Sequence, residues 1–367
     1  MQGRCPDRRG SAGLAALVAI ALLVLFAVPA PSSGAAGTVG EVRGAVNVSN
    51  DTPFIQHVVV VVLENELLSQ VYAHGPYERY LADVYGNATS MYAACHPSAP
   101  NYLAMVAGVV NQCGSDTWHN YTNKTIFSEF DRSGLTWGSY AENLPAKACS
   151  NPGGVTAGLF ATRHVPALWF TSVNTNQTYC RSHVVGANVF NSSVAAGTLR
   201  NFSFYTPNLC DDGHDGCGLN TTNGQLTRQA DSWLKNWLTP MLNHTGRFSG
   251  SKEQAMINHT AFLISWDEGN SGLIGGFPVA GVTSGDNLQW CGQHGATGDA
   301  VCGGHIFLSF VSPFSLDRTM TANDSTYGWD HTVEWLFHIA PLGNPGGFDN
   351  LKGFPAMSAL FNFTANT

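Results

Sequence analysis

Charged residues are scarce in this 367-residue sequence, since Asp, Glu, Lys and Arg together make up only 11% of it. An average protein has about a quarter. The 17 Lys and Arg residues do not cluster, and the lack of a basic patch argues against a nucleic-acid partner. Internal repeats are also lacking, and downstream of the N-terminus no apolar run is long enough to span a membrane. A hydrophobic content of 44% is nevertheless enough to bury a large core.

The N-terminus has the pattern of an export signal. Arg4, Arg8 and Arg9 precede an uncharged apolar run from about Leu14 to Ala30, and small residues follow. The run is long enough that an uncleaved membrane anchor is the alternative. We therefore expect residues 1–36 to be a signal peptide or N-terminal anchor, residues 37–52 a linker and residues 53–367 the main domain.

Cysteines and glycosylation sequons agree with export. Without Cys5 the chain keeps eight of its nine cysteines, and four disulfides are the expectation for a secreted protein. The simplest pairing is 95–113, 149–180, 210–217 and 291–302, although the sequence leaves the connectivity open. The chain also has thirteen N-x-S/T sequons, more than the roughly four or five expected by chance, so we expect N-linked glycans. The predicted location is secreted or on the outer cell surface.

Strand and helix patterns alternate along the chain. His57–Leu63, Ala261–Trp266 and Ile306–Val311 are typical of buried strands. Further strands are predicted at Thr136–Tyr140 and Asn201–Thr206, and helices at Tyr77–Tyr85, Asn101–Val110, Gln225–Leu242 and Thr332–Ile339. This order predicts an α/β fold with a mostly parallel central sheet and helices on both faces. The glycine-rich stretch Gly269–Gly304 is long for a loop and so is expected to be functional or a flap.

Polar residues follow several of these strands. Glu64-Asn65, Asp267-Glu268 and His214 come after strand ends, where open α/β sheets collect ligand sites. Hard carboxylate oxygens there would suit a divalent cation. A capped turn is the simpler interpretation of any one such pair. The dense cluster Asp211–Asp215 lies between Cys210 and Cys217, which would hold that loop tightly if they were bonded.

A serine at the start of a predicted helix completes this pattern. Ser98 precedes the apolar run from Asn101, and a helix N-terminus favours an anionic phosphoryl group. His96 is a candidate general acid or orienting group. Asp330-His331 is predicted just before a helix, where His331 would be a ligand or contact phosphoryl oxygens. His305, which opens a strand, is a possible phosphate-binding residue. Turn and core roles for these side chains are the alternatives.

Nine segments in order resemble the acid phosphatase and phospholipase C-type phosphoesterase family, within the alkaline-phosphatase-like superfamily. They are VVVVVLEN (58–65), HPSAPNYLAMVAG (96–108), TWGSYAENLP (136–145), RHVPALWF (163–170), FYTPNLCDDGHD (204–215), ADSWLKNWL (230–238), FLISWDEG (262–269), GGHIFLSFVSP (303–313) and DHTVEWLF (330–337). The resemblance implies an alkaline-phosphatase-like fold and a phosphoesterase catalytic domain over residues 53–367.

The resemblance also implies roles for individual residues. Ser98 falls at the nucleophile position, because Ser-Ala-Pro-Asn is similar to the Thr-x-Pro-Asn of related phosphodiesterases. The metal ligands it implies are Glu64, Asn65, Asp212, His214, Asp267 and Glu268, and His331 resembles the late histidine ligand. Glu at positions 64 and 268 replaces Asp and His of the superfamily, so the divalent metal could be Mg, Ca, Mn or Zn, with the carboxylate-rich set favouring the first three.

The expected activity is that of a secreted, metal-dependent phosphatase that hydrolyses phosphate monoesters through a phosphoserine intermediate. Either His96 or His331 would be the catalytic residue that protonates the leaving alkoxide. Its partner would be a small phosphorylated substrate or a phospholipid headgroup. A phospholipase C-type phosphodiesterase is one alternative, and a catalytically inactive surface glycoprotein of the same fold is another. A sulfatase is disfavoured because Ala99 stands where that related family requires Arg.

Overall fold

The computed structural model describes residues 54–109, 111–112, 114–154, 156–218, 223–269, 273–274, 277–278, 303–344 and 354–363. They belong to one unit, Asn47–Thr367. The predicted signal or anchor, the linker, Cys291, Cys302 and most of Gly269–Gly304 lie outside the described residues.

Fifteen strands lie within the described ranges. They are β1 (His57–Leu63), β2 (Gly86–Ala88), β3 (Met91–Tyr92), β4 (Trp137–Ala141), β5 (Thr156–Ala157), β6 (Phe160–Ala161), β7 (Val184–Gly186), β8 (Phe202–Thr206), β9 (Thr260–Trp266), β10 (Leu273–Ile274), β11 (Phe277–Pro278), β12 (His305–Ile306), β13 (Leu308–Val311), β14 (Thr319–Met320) and β15 (Asp324–Ser325).

Ten α-helices accompany them in the same ranges. They are α1 (Leu68–His74), α2 (Pro76–Val84), α3 (Ser98–Ala107), α4 (Ile126–Arg132), α5 (Thr171–Asn174), α6 (Gln177–His183), α7 (Ala187–Ala196), α8 (Asn223–Leu242), α9 (Ser251–Ile257) and α10 (Tyr327–Phe337). Short 3-10 helices lie at Pro152–Gly154, Thr162–His164, Pro166–Trp169, Gly246–Phe248, Pro313–Ser315 and Ser358–Leu360.

The central sheet has eight strands in the order β14-β2-β13-β9-β1-β8-β4-β7. β1 pairs in parallel with both β8 and β9, and β4 pairs in parallel with β8 and β7. Only β13 runs antiparallel to its neighbours in this sheet, β9 and β2. The prediction of a mostly parallel sheet is confirmed. β1 is buried along nearly its whole length, which explains its continuous β-branched sequence.

Helices cover both faces, as predicted, and the side-chain alternation of β8 shows it. Phe202 contacts Phe130 of α4, with ring centroids 5.3 Å apart. Tyr205, which points to the opposite face, contacts Trp237 of α8 at 4.8 Å. The face of Phe202 and Phe204 also receives α3, through Tyr102.

The apolar run Ile306–Val311, predicted as one strand, is divided between two sheets. Ile306 pairs with Met91 in a three-stranded sheet, whereas Leu308 onward pairs with β9. The chain changes its pairing partner at Phe307, which is itself fully buried. A continuous apolar run carries no signal for such a change, so this prediction was wrong.

The last helix begins earlier than predicted. α10 starts at Tyr327, so Asp330 and His331 lie inside the helix and not before it. Gly and aromatic residues in its first turn are weak helix formers, which concealed its start. The helix ends at Phe337 because His338 takes a left-handed conformation, φ 52°.

Disulfides join Cys149 to Cys180 and Cys210 to Cys217, as predicted. Cys95 is also disulfide-bonded, but its predicted partner Cys113 is outside the described residues. In the portion of the chain that the structure describes, no helix combines the length and apolar character needed to cross a bilayer.

Candidate active site

Two neighbouring strands place two carboxylates side by side. Glu64 follows β1 and Asp267 follows β9, and the last residues of these parallel strands are in register, Leu63 beside Trp266. The Asp267 N–H continues the ladder by donating to the Leu63 carbonyl at 2.9 Å. Both side chains are fully buried.

Asn65 turns the chain directly after Glu64. Its φ of 65° is left-handed, a conformation that Asn tolerates better than most residues. The turn directs its N–H to Asp267 Oδ1 at 3.1 Å, while its amide donates to Glu64 Oε2 at 3.2 Å. The Asn65 conformation thus ties the two strand ends together.

Ser98 is the first residue of α3, as its sequence position predicts. Its hydroxyl donates to Glu64 Oε2 at 2.8 Å and lies 3.5 Å from Glu268 Oε1. Asn101 holds the preceding turn, because its Oδ1 accepts from the Ala94 and Cys95 N–H groups. The buried serine is therefore fixed beside the carboxylates by its own helix.

The loop after β8 brings in Asp212. The Glu64 N–H donates to the Asp212 carbonyl at 2.8 Å, and Asp212 Oδ1 accepts from the His214 N–H at 2.8 Å. Gly213 between them has φ +90°, and a Cβ there would come within 3.2 Å of Ala230 Cβ. The left-handed conformation and close packing favour glycine at this position.

His164 lies between two of these carboxylates. Its Nε2 is 3.0 Å from Glu64 Oε1 and its Nδ1 is 3.2 Å from Asp212 Oδ2. The ring stacks on Tyr102, with centroids 5.2 Å apart, and the Tyr102 hydroxyl donates to Glu64 Oε1 at 2.6 Å. Glu64, His164 and Asp212 each offer a ligand atom within 4.8 Å of the others.

The charges of this cluster determine its pKa values. Burial opposes ionisation of Glu64, but the charge and hydrogen bond of His164 outweigh it and lower the Glu64 pKa to about 2. Burial likewise opposes the charged form of His164, yet Glu64 and Asp212 raise the His164 pKa to about 10. Burial raises the pKa of Asp212 to about 6.

Burial also shifts the ionisation of Asp267 and Glu268, toward the neutral form. Burial, followed by the charge of Glu64, raises the pKa of both carboxyls well above the usual range. Asp267 Oδ2 is a buried oxygen for which the described residues provide no hydrogen-bond donor. Several buried carboxylate oxygens, among them one such as Asp267 Oδ2 that has no hydrogen-bond donor, fit a hard divalent cation. The residues that would hold it are Glu64, Asn65, Asp212, Asp267 and Glu268, together with His164.

A cavity of about 350 Å³ opens beside Ser98. Its lining comprises Asn65, Glu66, Pro97, Ser98, Asp116, Arg163, Gly213, His214, Leu226 and Glu268. Arg163 Nη2 donates to His214 Nε2 at 3.1 Å, and His214 Nδ1 is 2.8 Å from Asp215 Oδ1. The space is in the range of small-molecule sites.

The other predicted histidines are placed differently from one another. His96 Nδ1 lies 2.6 Å from Glu268 Oε2, so His96 joins the cluster, and burial lowers its pKa to about 4. The His331 ring contacts the Phe354 carbonyl at 3.0 Å. His305 Nε2 contacts the Thr89 carbonyl at 2.8 Å, and its ring stacks on Tyr92. The described contacts do not join His331 or His305 to the Ser98 cluster.

Four side chains of the site were not assigned from the sequence: Tyr102, Asp116, Arg163 and His164. Three of them fall within the segments HPSAPNYLAMVAG and RHVPALWF, so those segments were the available signal. His164 ends a 3-10 helix in a stretch without periodicity. Its place against Glu64 comes from packing between segments that are distant in the chain.

The family model of the Phosphoesterase family matches residues 71–340, well over half of the chain. The chain belongs to the Phosphoesterase family. Among curated relatives, an acid phosphatase from Aspergillus fumigatus is 28% identical over 49% of this chain. A phosphatidylinositol-3-phosphatase from Mycobacterium tuberculosis is 29% identical over 64% of this chain.

The match covers these relatives to different extents. It spans 37% of the Aspergillus protein's own length and 70% of the mycobacterial one. Among solved structures, a protein in the alkaline phosphatase superfamily from Vibrio parahaemolyticus is similar with a TM-score of 0.48 and 11% identity. That similarity covers 77% of this chain and 66% of the Vibrio protein.

Proposed function

We propose that this member of the Phosphoesterase family is a secreted, metal-dependent phosphatase that hydrolyses phosphate monoesters through a phosphoserine on Ser98. The observation that carries the proposal is the 2.8 Å hydrogen bond from the Ser98 hydroxyl, at the start of α3, to Glu64 in the carboxylate cluster. The names of the two relatives, an acid phosphatase and a phosphatidylinositol-3-phosphatase, support a monoester substrate.

A divalent cation bound by the carboxylate cluster would supply electrostatic stabilisation of the Ser98 oxygen and of the phosphoryl group. Ser98 Oγ attacks phosphorus and forms the new O–P bond, while its proton leaves to solvent through the carboxylate cluster, whose Glu64 Oε2 the hydroxyl already contacts. The bond from phosphorus to the leaving oxygen breaks with its electron pair, and that oxygen takes a proton. We assign the delivery of this proton to His96, which contacts Glu268 next to Ser98. Because burial lowers its pKa to about 4, His96 holds the proton to be delivered in acidic solution.

A water molecule then attacks the phosphoserine. Its oxygen bonds to phosphorus, the P–Oγ bond breaks with its electron pair on Oγ, and Ser98 takes up a proton released by the attacking water as inorganic phosphate leaves. The proposed cation and the phosphoryl group would be held and oriented by Asp212, His214, Asn65, His164 and Glu268. His331 and His305 take part in no step of this mechanism, and their predicted roles stay hypotheses.

The test is hydrolysis of p-nitrophenyl phosphate, bis-p-nitrophenyl phosphate and p-nitrophenyl sulfate, with and without chelator. We expect the monoester to be preferred, chelator to abolish turnover, and Ser98→Ala to lower kcat by roughly 10³-fold or more. Ser251→Ala is the matched control, because Ser251 is an exposed serine that also begins a helix.

Each alternative has its own outcome. A preference for the diester would instead support a phospholipase C-type phosphodiesterase. Equal absence of turnover in the wild type and in Ser98→Ala would support an inactive surface glycoprotein. Phosphate trapped on a residue other than Ser98 would overturn the assignment of the nucleophile.

An extracellular location, either by secretion or by display on an N-terminal anchor, and N-linked glycans belong to the same proposal. The two disulfides among the described residues support an oxidising compartment. A soluble phosphorylated molecule and a phospholipid headgroup are both compatible with the cavity. Adding vesicles that contain a phosphoinositide monophosphate to the assay distinguishes these two substrate sources.

A further inference from the structure

The carboxylate of Asp116 lies between two positively polarised groups beside Ser98. Its Oδ1 accepts a hydrogen bond from the Ala99 N–H at 2.9 Å. Its Oδ2 lies 3.9 Å from Arg163 Nε. Ala99 is the residue after Ser98 in α3, so the amide that Asp116 occupies directly adjoins the proposed nucleophile.

These two groups are the ones that a phosphoryl dianion would use. The first N–H groups of a helix have no partner within the helix, and with the helix dipole they favour an anion. Arg163 is the one Lys or Arg among the described residues that line the cavity. Arginine binds phosphate oxygens through several N–H donors.

The remaining charge of the cavity is negative. Glu66 and Glu268 line it together with Asp116, so among the protein's own groups at the cavity an incoming anion would be received by Arg163 and the α3 amide. Asp116 contacts both the Ala99 N–H and Arg163. We propose that Asp116 holds the phosphoryl-binding groups Ala99 N–H and Arg163 as an internal carboxylate, which the substrate phosphoryl group displaces.

Displacement is physically easy in this geometry. The Arg163–Asp116 separation of 3.9 Å is at the limit of an ion pair, and the two side chains are 21% and 37% exposed. Exposed pairs of this kind contribute little. A phosphoryl dianion brings more charge and more acceptor oxygens than one carboxylate does. Asp116 is therefore a specificity-determining residue that sets the affinity for the phosphoryl group.

The inference rests on the proposed function, but binding of inorganic phosphate tests it without turnover. Calorimetry is done on the purified, metal-loaded protein. Asp116→Asn keeps an acceptor for the Ala99 N–H and removes the charge, so we expect inorganic phosphate to bind roughly tenfold tighter. Arg163→Ala is expected to bind phosphate roughly 10- to 100-fold more weakly. Asp83→Asn and Arg181→Ala change exposed residues of the same types outside the cavity and serve as controls.

One result would overturn the proposal. If the affinity of Asp116→Asn for inorganic phosphate equals or falls below that of the wild type, Asp116 only positions Arg163. Asp116→Ala repeats the test if the Asn variant does not fold. In a monoester assay we expect Asp116→Asn to lower KM more than it changes kcat.

The turnover and phosphate-binding measurements together distinguish failure of the proposed function from failure of this inference. If no ester is turned over but phosphate binding follows the expected order, the phosphoryl subsite stands and the catalytic proposal fails. If Ser98-dependent turnover is present but phosphate binding ignores Asp116 and Arg163, the catalytic proposal stands and this inference fails.

Discussion

Ser98 Oγ donates a hydrogen bond to Glu64 Oε2 across 34 positions of the chain, at 2.8 Å and in a buried setting. The bond joins the start of α3 to the end of β1. Glu64 also accepts from Tyr102 and contacts His164, so a single carboxylate connects the proposed nucleophile to the rest of the cluster.

Glu64→Gln and Asp267→Asn are each expected to lower the metal content of the protein. Each replaces a buried carboxylate oxygen by a weaker neutral ligand. Elemental analysis of the folded, dialysed variants measures this without reference to activity. Glu253→Gln is the matched control, because Glu253 is also buried and contacts a histidine, His244, at 3.3 Å. Wild-type metal content in both variants would rule out this cluster as the metal site.

Tyr102→Phe is expected to lower kcat by about tenfold, as is typical for loss of a partner that orients a ligand. It removes the 2.6 Å hydrogen bond to Glu64 Oε1, and a cost of about 1–2 kcal/mol in unfolding free energy should accompany it. Steady-state kinetics and urea denaturation measure the two effects. Tyr140→Phe, at another buried tyrosine, should affect stability without a comparable fall in kcat. Equal kcat effects in the two variants would contradict the prediction.

The two described disulfides are expected to differ in their effects on stability and on activity. They close chain separations of 31 residues for Cys149–Cys180 and 7 for Cys210–Cys217. Loop-closure entropy gives about 4 kcal/mol for the longer loop and about 2 kcal/mol for the shorter. Replacing Cys149 and Cys180 by Ser should therefore cost more unfolding free energy.

Replacing Cys210 and Cys217 by Ser should instead cost more activity, because Asp212 and His214 lie in that loop. Denaturation and monoester turnover are measured on both double variants. The prediction fails if the variant without Cys149–Cys180 loses more turnover per folded molecule.

Asp324 is expected to make stability depend on pH. Burial raises its pKa from 3.8 to about 7. The folded state therefore holds a proton that the unfolded state releases, so the penalty is absent at low pH and grows as pH rises from about 4 to about 7. The difference corresponds to at most about 4 kcal/mol.

Asp324→Asn has no carboxyl to ionise, so its stability relative to the wild type should improve from pH 5 to pH 8. Urea denaturation at the two pH values measures this, with the exposed Asp83→Asn as the control. A stability difference that does not change with pH would contradict the assignment.

Much of the fold was predictable because it depends on local patterns. The β-branched run of β1 and the apolar run of β9 indicate doubly buried strands, and polar residues directly after them indicate an edge. The division of 306–311 between two sheets and the early start of α10 were not predictable. The first depends on which strand pairs with which, and the second was concealed by residues of low helix propensity.

The sequence by itself determined that Glu64, Ser98 and Asp267 would stand at ends of secondary structure, because the buried-strand pattern and the helix start signals are local properties. Only the tertiary structure decided that His164 contacts both Glu64 and Asp212, and that Asp116 reaches Ala99 and Arg163. His164 and Arg163 lie in a 3-10 helix and Asp116 lies in a loop. The position of these segments depends on packing against α3. No periodicity in the chain specifies such contacts, because they arise from the meeting of distant segments.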